Sequence, residues 1–136
     1  MRSVVTLALV SLALVCGCNK KPSGNAPAKT LSCTLEIAGV KKIPNPSEAD
    51  IRVAVMAMDT KRGGAFLVIA VSEVTYIQTS GDERLGFEME YQETDVQHHY
   101  RAKRRLNSEE VVKALASYAT GNGDWKKMTD WTPINW

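Results

Sequence analysis

The chain has 136 residues, of which 44% are hydrophobic and 24% charged, and its formal net charge is +2. These proportions are typical of one globular domain, and they exclude a disordered chain, a collagen, a coiled coil and a multi-span membrane protein. The small net charge gives no indication of a strongly charged partner such as a nucleic acid.

The first segment has the pattern of an export signal. Arg2 supplies a positive charge, and an unbroken run of Val, Thr, Leu, Ala and Ser follows in residues 4–15. As a helix this run would be about 18 Å long, which is too short for a bilayer core of about 30 Å. We therefore expect a secretory signal and not a membrane span.

The end of this segment, Val15-Cys16-Gly17-Cys18, resembles the lipobox of bacterial lipoproteins. In that family an aliphatic residue stands three places before the modified cysteine and a small residue stands directly before it. Val15, Gly17 and Cys18 match these places. The resemblance implies that residues 1–17 are removed, that Cys18 carries the lipid, and that the protein is anchored to the membrane of the cell envelope. The alternative is an ordinary secretory signal with a chance cysteine.

Residues 18–30 are expected to form a lipidated, flexible tether. The segment after Cys18 has two prolines, one glycine, three lysines and no large apolar residue, so it has no core to form. Asn19, and not Asp, follows the cysteine, and the sorting rule of enteric lipoproteins then implies the outer membrane if the organism has one. The remaining residues, 31–136, carry 13 basic and 15 acidic side chains. We therefore expect no nucleic-acid partner.

The domain is predicted to begin with a strand at residues 31–37, where apolar and polar residues alternate. Cys33 lies on the apolar side of this strand. It is the one cysteine left once Cys16 is removed and Cys18 is acylated, so no intramolecular disulfide is expected and the thiol is predicted to be buried and inert.

A helix is predicted next, from about residue 46 to residue 58. Asn45 is interpreted as its N-cap, with Pro46 at the first helical position and Glu48 at the third, a capping-box arrangement. The apolar residues that recur at helical spacing are Ile51, Ala54, Val55 and Met58.

Four strands are predicted to follow as a meander. Residues 65–71 are apolar throughout, which favours a central strand covered on both faces. Residues 74–79 form the second strand. Alternating patterns predict the third at residues 85–92 and the fourth at residues 96–102, with Val96, His98, Tyr100 and Ala102 toward the core.

The last predicted elements are a helix and one further helical turn. Asn107 and Glu110 form a second capping-box pattern, and Gly121 is typical of a helix end. A helical turn at residues 124–130 carries Trp125, which together with Trp131 is predicted to cover the sheet; a ligand platform is the alternative. The order of elements indicates an α+β domain over residues 31–136, with a mainly antiparallel sheet of about five strands and two main helices.

The third and fourth strands contain the candidate binding residues. Residues 87–92 folded onto residues 97–102, with the turn at Thr94-Asp95, place Glu88 opposite Arg101 and Glu90 opposite His99. Opposite charges then face one another, which favours a structural hairpin. The same polar face, formed by Glu88, Glu90, His99 and Arg101, is also the candidate surface for a protein partner.

The sequence also contains residue types that could act in catalysis or bind a metal ion. His98 and His99 are adjacent, and neighbouring side chains of a strand point to opposite faces, so a shared metal ion is not expected. Glu88 and Glu90 are the one pair of carboxylates worth testing as an acid and a base. The sequence indicates no cofactor, and we expect a binding module without catalytic activity; an envelope hydrolase that uses Glu88/Glu90 or His98/His99 is the alternative.

Residues 50–134 also resemble a small bacterial domain associated with immunity proteins of polymorphic toxin systems. The resemblance implies an α+β domain that binds a toxin and has no catalytic residues. The lipobox and the tether depart from it, because many such immunity proteins are cytoplasmic. The segments that carry it are Phe66-Leu67-Val68-Ile69, Tyr76-Ile77-Gln78, Gly86-Phe87-x-x-Glu90-Tyr91, His99-Tyr100-Arg101-Ala102, Glu109-Glu110-Val111 and Trp131-x-Pro133.

Overall fold

The structure, a computed structural model, describes residues 31–63 and 65–135. The predicted signal segment, the lipidation site Cys18, the tether and Trp136 lie outside the described residues. Within the part of the chain that is described, no helix is both long enough and apolar enough to cross a membrane.

Seven strands and two α-helices make up the regular structure of the described residues, together with three short 3₁₀ turns. The strands are β1 (Thr34–Ile37), β2 (Lys41–Pro44), β3 (Phe66–Ser72), β4 (Thr75–Asp82), β5 (Gly86–Gln92), β6 (His99–Ala102) and β7 (Trp131–Pro133). The helices are α1 (Glu48–Met56) and α2 (Ser108–Thr120), and the turns are Thr60–Arg62, Val96–His98 and Asp124–Lys127.

The strands form one antiparallel sheet in the order β2-β1-β3-β4-β5-β6-β7. The α+β class and the two predicted helices are therefore confirmed, whereas the expected number of strands is too low. Helix α2 packs on β3, β4 and β5, and α1 packs against α2. One hydrophobic core fills the space between the helices and the sheet, and its fully buried side chains include Leu35, Ile51, Leu67, Ile69, Ile77, Phe87, Met89, Val111 and Leu115.

The two strands absent from the prediction, β2 and β7, are the edge strands of the sheet. Each is short, and each contains a proline, Pro44 in β2 and Pro133 in β7. Their sequences lack the alternation that marks the inner strands, because an edge strand of this kind buries little of either side. These two strands are identified only by their pairing with β1 and β6 in the structure.

Helix α1 begins two residues later than predicted. Its N-cap is Ser47, whose side chain accepts a hydrogen bond from the Asp50 N–H in a capping box. Asn45 instead has a positive φ of 47° and its side chain accepts a hydrogen bond from the Cys33 N–H at 3.3 Å. Asparagine tolerates this left-handed backbone, so Asn45 forms the corner between β2 and α1 and is not the cap.

Strand β3 is central, as predicted, but it is covered on one face only. Leu67 and Ile69 are fully buried against the helices, whereas Phe66, Val68 and Ala70 on the opposite side are partly or largely exposed. The prediction that both faces are covered is wrong because the described helices all pack on the same side of the sheet.

The register of β5 and β6 differs by two residues from the predicted hairpin. Glu90 lies opposite Arg101, Tyr91 opposite Tyr100 and Gln92 opposite His99. The predicted pairs Glu88–Arg101 and Glu90–His99 are therefore not the pairs of the ladder. The loop is longer than expected, because Asp95 caps a 3₁₀ turn over Val96–His98 and this turn takes the place of the first half of the predicted fourth strand.

The end of the chain follows the sequence pattern closely. Helix α2 has the predicted capping box between Asn107 and Glu110, and Gly121 adopts the left-handed C-cap conformation with φ 70°. Trp125 is buried in a 3₁₀ turn, and Trp131 packs against the edge of the same core. Cys33 is buried as predicted, and burial raises the pKa of its thiol.

Candidate functional site

The face of the sheet that carries no described helix is the candidate site, and we call it the open face. Because side chains alternate along each strand, the register assigns every second residue to this face. In the middle row it brings together Glu36, Val68, Gln78, Glu90 and Arg101 from five consecutive strands. The four candidate binding residues, Glu88, Glu90, His99 and Arg101, all belong to this face.

A stripe of apolar side chains, which we call the β3 stripe, runs along the open face. It consists of Phe66, Val68 and Ala70, and Phe66 is 40% exposed. These residues come from the all-apolar segment that the sequence pattern placed between two covered faces. A partly exposed apolar stripe inside a polar surface is a common mark of an interaction site.

Glu90 contacts three other side chains of the open face within the described part of the chain. Its carboxylate accepts a hydrogen bond from Gln78 Nε2 at 2.9 Å and one from Arg101 Nε at 2.7 Å. A second Arg101 nitrogen lies 2.7 Å from the same carboxylate, and His99 Nε2 lies 3.3 Å from it. The Glu90 side chain is only 16% exposed. The predicted closeness of Glu90 and His99 is therefore present, but along a diagonal of the ladder and not directly across it.

Glu88 is held separately, near the start of β5. Its carboxylate lies 2.6 Å from one terminal guanidinium nitrogen of Arg105, and the other terminal nitrogen of Arg105 donates to the carbonyl groups of Leu85 and Gly86. On the other side of the β3 stripe, Lys42 Nζ lies 2.7 Å from Glu36. The stripe is thus flanked by ion pairs on both sides, so the surface has many charges and little net charge.

The two histidines occupy different environments. His98 is exposed at the end of the 3₁₀ turn, where its Nδ1 lies 2.8 Å from Asp95. The interaction with His98 lowers the pKa of the Asp95 carboxyl. His99 is buried on the open face, with its ring centroid 6.2 Å from that of Tyr76. In the described part of the chain, no group of three or more His, Cys, Asp or Glu side chains could hold a metal ion.

A shallow depression of about 260 Å³ lies on the open face beside the β3 stripe. Its lining includes Phe66, Gln78, Ser80, Glu88 and Glu90. The aromatic ring gives it one apolar wall, and the two glutamates supply hydrogen-bond acceptors. Both glutamates already bind guanidinium groups, so the site presents paired charges and not two free carboxylates.

The sequence pattern predicted the charged residues of this site but did not predict that the β3 stripe belongs to it. The charged residues were recognised because opposite charges recur on adjacent strands. The β3 stripe was missed because a run of apolar residues looks the same whether one face or both are covered, and only the positions of the helices distinguish the two cases. Gln78 was missed because a single glutamine in a strand carries no pattern.

The fold and the site define an α+β domain with one helix-covered face and one open face of a seven-stranded antiparallel sheet. Comparison with protein-family models, with curated proteins and with solved structures finds no match to this chain.

Proposed function

We propose that the protein is a lipoprotein of the cell envelope whose domain binds another protein through the open face and catalyses no reaction. The lipobox sequence supports the anchor, with Cys18 as the lipidated residue and the outer membrane as its location in a diderm organism. The observation that carries the binding function is the β3 stripe. Its apolar side chains, of which Phe66 is exposed and Val68 and Ala70 are partly exposed, lie between two sets of ion pairs.

This arrangement fits the physical requirements of a protein interface. A partner can cover the exposed Phe66 and the partly exposed Val68, and the charged rim can restrict the partner's orientation. The ion pairs of the rim are formed within the domain, so the residues that a partner meets are already in place before it binds. The resemblance to immunity proteins makes a secreted toxin domain the first class of partner to test.

The binding proposal can be tested with a photo-crosslinking residue at Val68 and, as a matched control, at Val53. Val53 is an exposed valine of α1, on the far side of the domain from the open face. We expect a crosslinked partner from position 68 and none from position 53, and we expect Phe66→Ser to abolish the product. Equal crosslinking from the two positions would contradict a specific interface on the open face.

The lipid anchor has its own test. Cys18→Ser should abolish both recovery in the membrane fraction and labelling by a palmitate analogue, whereas Cys16→Ser should leave both unchanged. Labelling that survives Cys18→Ser and is lost in Cys16→Ser would assign the lipid to the other cysteine.

The alternative, an envelope hydrolase, predicts a different result. Purified protein would then turn over a peptidoglycan or ester substrate. That activity would disappear in Glu88→Gln or Glu90→Gln without a change in melting temperature. Such a result would overturn the proposal that the domain is not an enzyme.

A further inference from the structure

The depression beside Phe66 on the open face has a shape that the strand register explains. Phe66 pairs with Ser80, and Ser80 pairs with Glu88, so these three residues lie in one row across β3, β4 and β5. Neighbouring strands are about 4.8 Å apart, which separates the backbones at Phe66 and Glu88 by about 10 Å. The short side chain of Ser80 between two long ones leaves the space of about 260 Å³. We call this space the Phe66 depression.

The charged residues that line the Phe66 depression are both carboxylates, Glu88 and Glu90. The two arginines that bind them, Arg105 and Arg101, stand outside the lining, and their side chains are roughly half exposed. Water therefore screens the charges of the arginines more strongly than it screens the mostly buried Glu90. The depression thus presents negative charge to an incoming group, although the surface around it has little net charge.

Glu88 has an accessible carboxylate oxygen that is not in use. Its side chain is 44% exposed. Its Oε1 accepts a hydrogen bond from Arg105, whereas its Oε2 has no hydrogen bond to a described residue. Because both oxygens of a carboxylate can accept hydrogen bonds, Glu88 can bind a second cation without releasing Arg105.

The chemistry of the depression distinguishes between the side chains that a partner could insert. An apolar side chain would cover the Glu88 carboxylate without pairing it, which costs free energy. An acidic side chain would be repelled by two carboxylates. A cation can bind Glu88 and also face the ring of Phe66, which is 40% exposed. Arginine fits better than lysine, because its planar guanidinium can lie on a ring while it binds a carboxylate.

We propose that the Phe66 depression receives an arginine side chain of the protein partner, held between the ring of Phe66 and Oε2 of Glu88. This inference rests on the proposed function, because it names the group with which the partner enters the open face. Arginine is enriched among the residues that contribute most to protein binding. Phe66 belongs both to the depression and to the β3 stripe, so one partner can cover the two together.

Two small probes test the depression directly, and both are titrated into isotope-labelled full-length protein at matched ionic strength. They are N-acetyl-arginine amide and N-acetyl-citrulline amide, which have nearly the same shape and differ in charge. We expect the arginine probe to shift the backbone amide signals of Ser80 and Glu88, with a Kd in the millimolar range that suits so small a ligand. The citrulline probe should bind about tenfold more weakly, because it lacks the charge. Equal affinity for the two probes, or shifts confined to residues outside the depression, would overturn the proposal.

Three variants assign the bound arginine probe to the depression. Glu88→Gln should weaken its binding about fivefold, because the charged acceptor is replaced by a neutral amide. Phe66→Leu keeps an apolar side chain and loses the ring, so it should weaken binding about threefold. Glu109→Gln is the matched control, because Glu109 is a similarly exposed glutamate paired with Arg52 on the helix-covered side, and it should leave the affinity unchanged. Unchanged affinity in both Glu88→Gln and Phe66→Leu would place the probe elsewhere and overturn the proposal.

Crosslinking from position 68 separates this proposal from the proposed function. In a chain that carries the photo-crosslinking residue at Val68, Glu88→Gln should lower the yield of the crosslinked partner about fivefold, and Glu109→Gln should not change it. An undiminished crosslink in Glu88→Gln would overturn the arginine anchor and leave the binding function standing. Binding of the arginine probe without any crosslink from position 68 in the otherwise unaltered chain would contradict the proposed function, and with it the assignment of the arginine to a protein partner.

Discussion

At the scale of single residues, the two glutamates of β5 have different roles although they lie on the same face of the sheet. Glu90 is mostly buried and contacts Gln78, His99 and Arg101, whereas Glu88 is 44% exposed and contacts Arg105. The alternation of charge in the sequence treats them as equivalent. In the structure, Glu90 binds three neighbouring side chains of the open face, whereas Glu88 forms an exposed ion pair at its edge.

This difference predicts unequal effects on stability. Glu90→Ala removes a mostly buried acceptor that Gln78, His99 and Arg101 share, and we expect the free energy of unfolding to fall by about 1–3 kcal/mol. Glu88→Ala breaks an exposed ion pair and should cost at most about 1 kcal/mol. Urea denaturation of the two variants measures both values. Equal losses would show that Glu90 is an ordinary surface residue.

Asp82 predicts an acid-dependent part of the stability. The hydroxyl of Thr60 and the backbone N–H of Leu85, the latter at 2.8 Å, donate to its carboxylate and lower its pKa from 3.8 to about 2. Because the pKa is lower in the folded state, the stabilisation is fully present above about pH 4 and is lost as the pH falls toward 2. Thermal unfolding between pH 5 and pH 2 should therefore show a smaller fall in melting temperature for Asp82→Asn. Asp124→Asn, at an exposed turn, should follow the unaltered chain.

At the scale of elements, the prediction succeeded where local sequence determines structure. Helix α2 was located by its capping box and its terminal glycine, which are signals contained in the helix itself. The predicted start of α1 and the predicted register of β5 and β6 were wrong because both depend on loop conformation. Asn45 and Thr94 have positive φ angles, and a sequence pattern does not show whether an asparagine or a threonine will adopt one.

The capping box of α2 offers a quantitative check on such local signals. The Asn107 side chain accepts a hydrogen bond from the Glu110 N–H at 2.9 Å. Asn107→Ala should lower the free energy of unfolding by about 1 kcal/mol, within a range of about 0.5–2 kcal/mol. Asn107→Ser retains a good cap and should cost much less. A negligible loss in the alanine variant would show that packing alone fixes the start of the helix.

The edge strands show how the fold limits unwanted pairing. The Ile134 N–H donates to the His99 carbonyl and the Lys103 N–H to the Asp130 carbonyl. Residues 131 and 133 of β7 therefore point their backbone groups outward, and Pro133 has no N–H to offer. In β2 the Asn45 N–H donates to the Cys33 carbonyl, so the backbone groups of Asn45 face β1. The backbone of the preceding residue, Pro44, therefore faces away from the sheet. Both edges thus present a proline to an approaching strand, which disfavours the addition of a further strand to the sheet.

At the scale of the whole molecule, the domain is asymmetric across its sheet. The core lies between the sheet and the helices, and the other side of the same strands supplies the β3 stripe. Composition and periodicity predicted the fold class correctly. They did not predict this asymmetry, because it depends on which face α1 and α2 cover.

Two neighbouring residues of β3 test the asymmetry directly. Ile69 is fully buried in the core, and Ile69→Ala should lower the free energy of unfolding by about 2–5 kcal/mol. Val68 faces the other way and is partly exposed, so Val68→Ala should cost less than about 1 kcal/mol while weakening capture of a partner. Denaturation and crosslinking of both variants provide the comparison. A loss of less than about 0.5 kcal/mol for Ile69→Ala would remove β3 from the centre of the core.

The position of β1 has a mechanical consequence for a protein held by its N-terminal side. Strand β1 lies between β2 and β3 and is hydrogen-bonded to both, and the chain enters it from Leu31. A pulling force applied through Leu31 along β1 loads the hydrogen bonds to β2 and to β3 in shear at the same time. It does not open either set of hydrogen bonds one after another. Force applied through β7, an edge strand with one neighbour, meets a single short ladder. In single-molecule pulling with the same second attachment point, we therefore expect the domain to withstand a higher force through residue 31 than through residue 135, and such resistance would suit the membrane anchor proposed above.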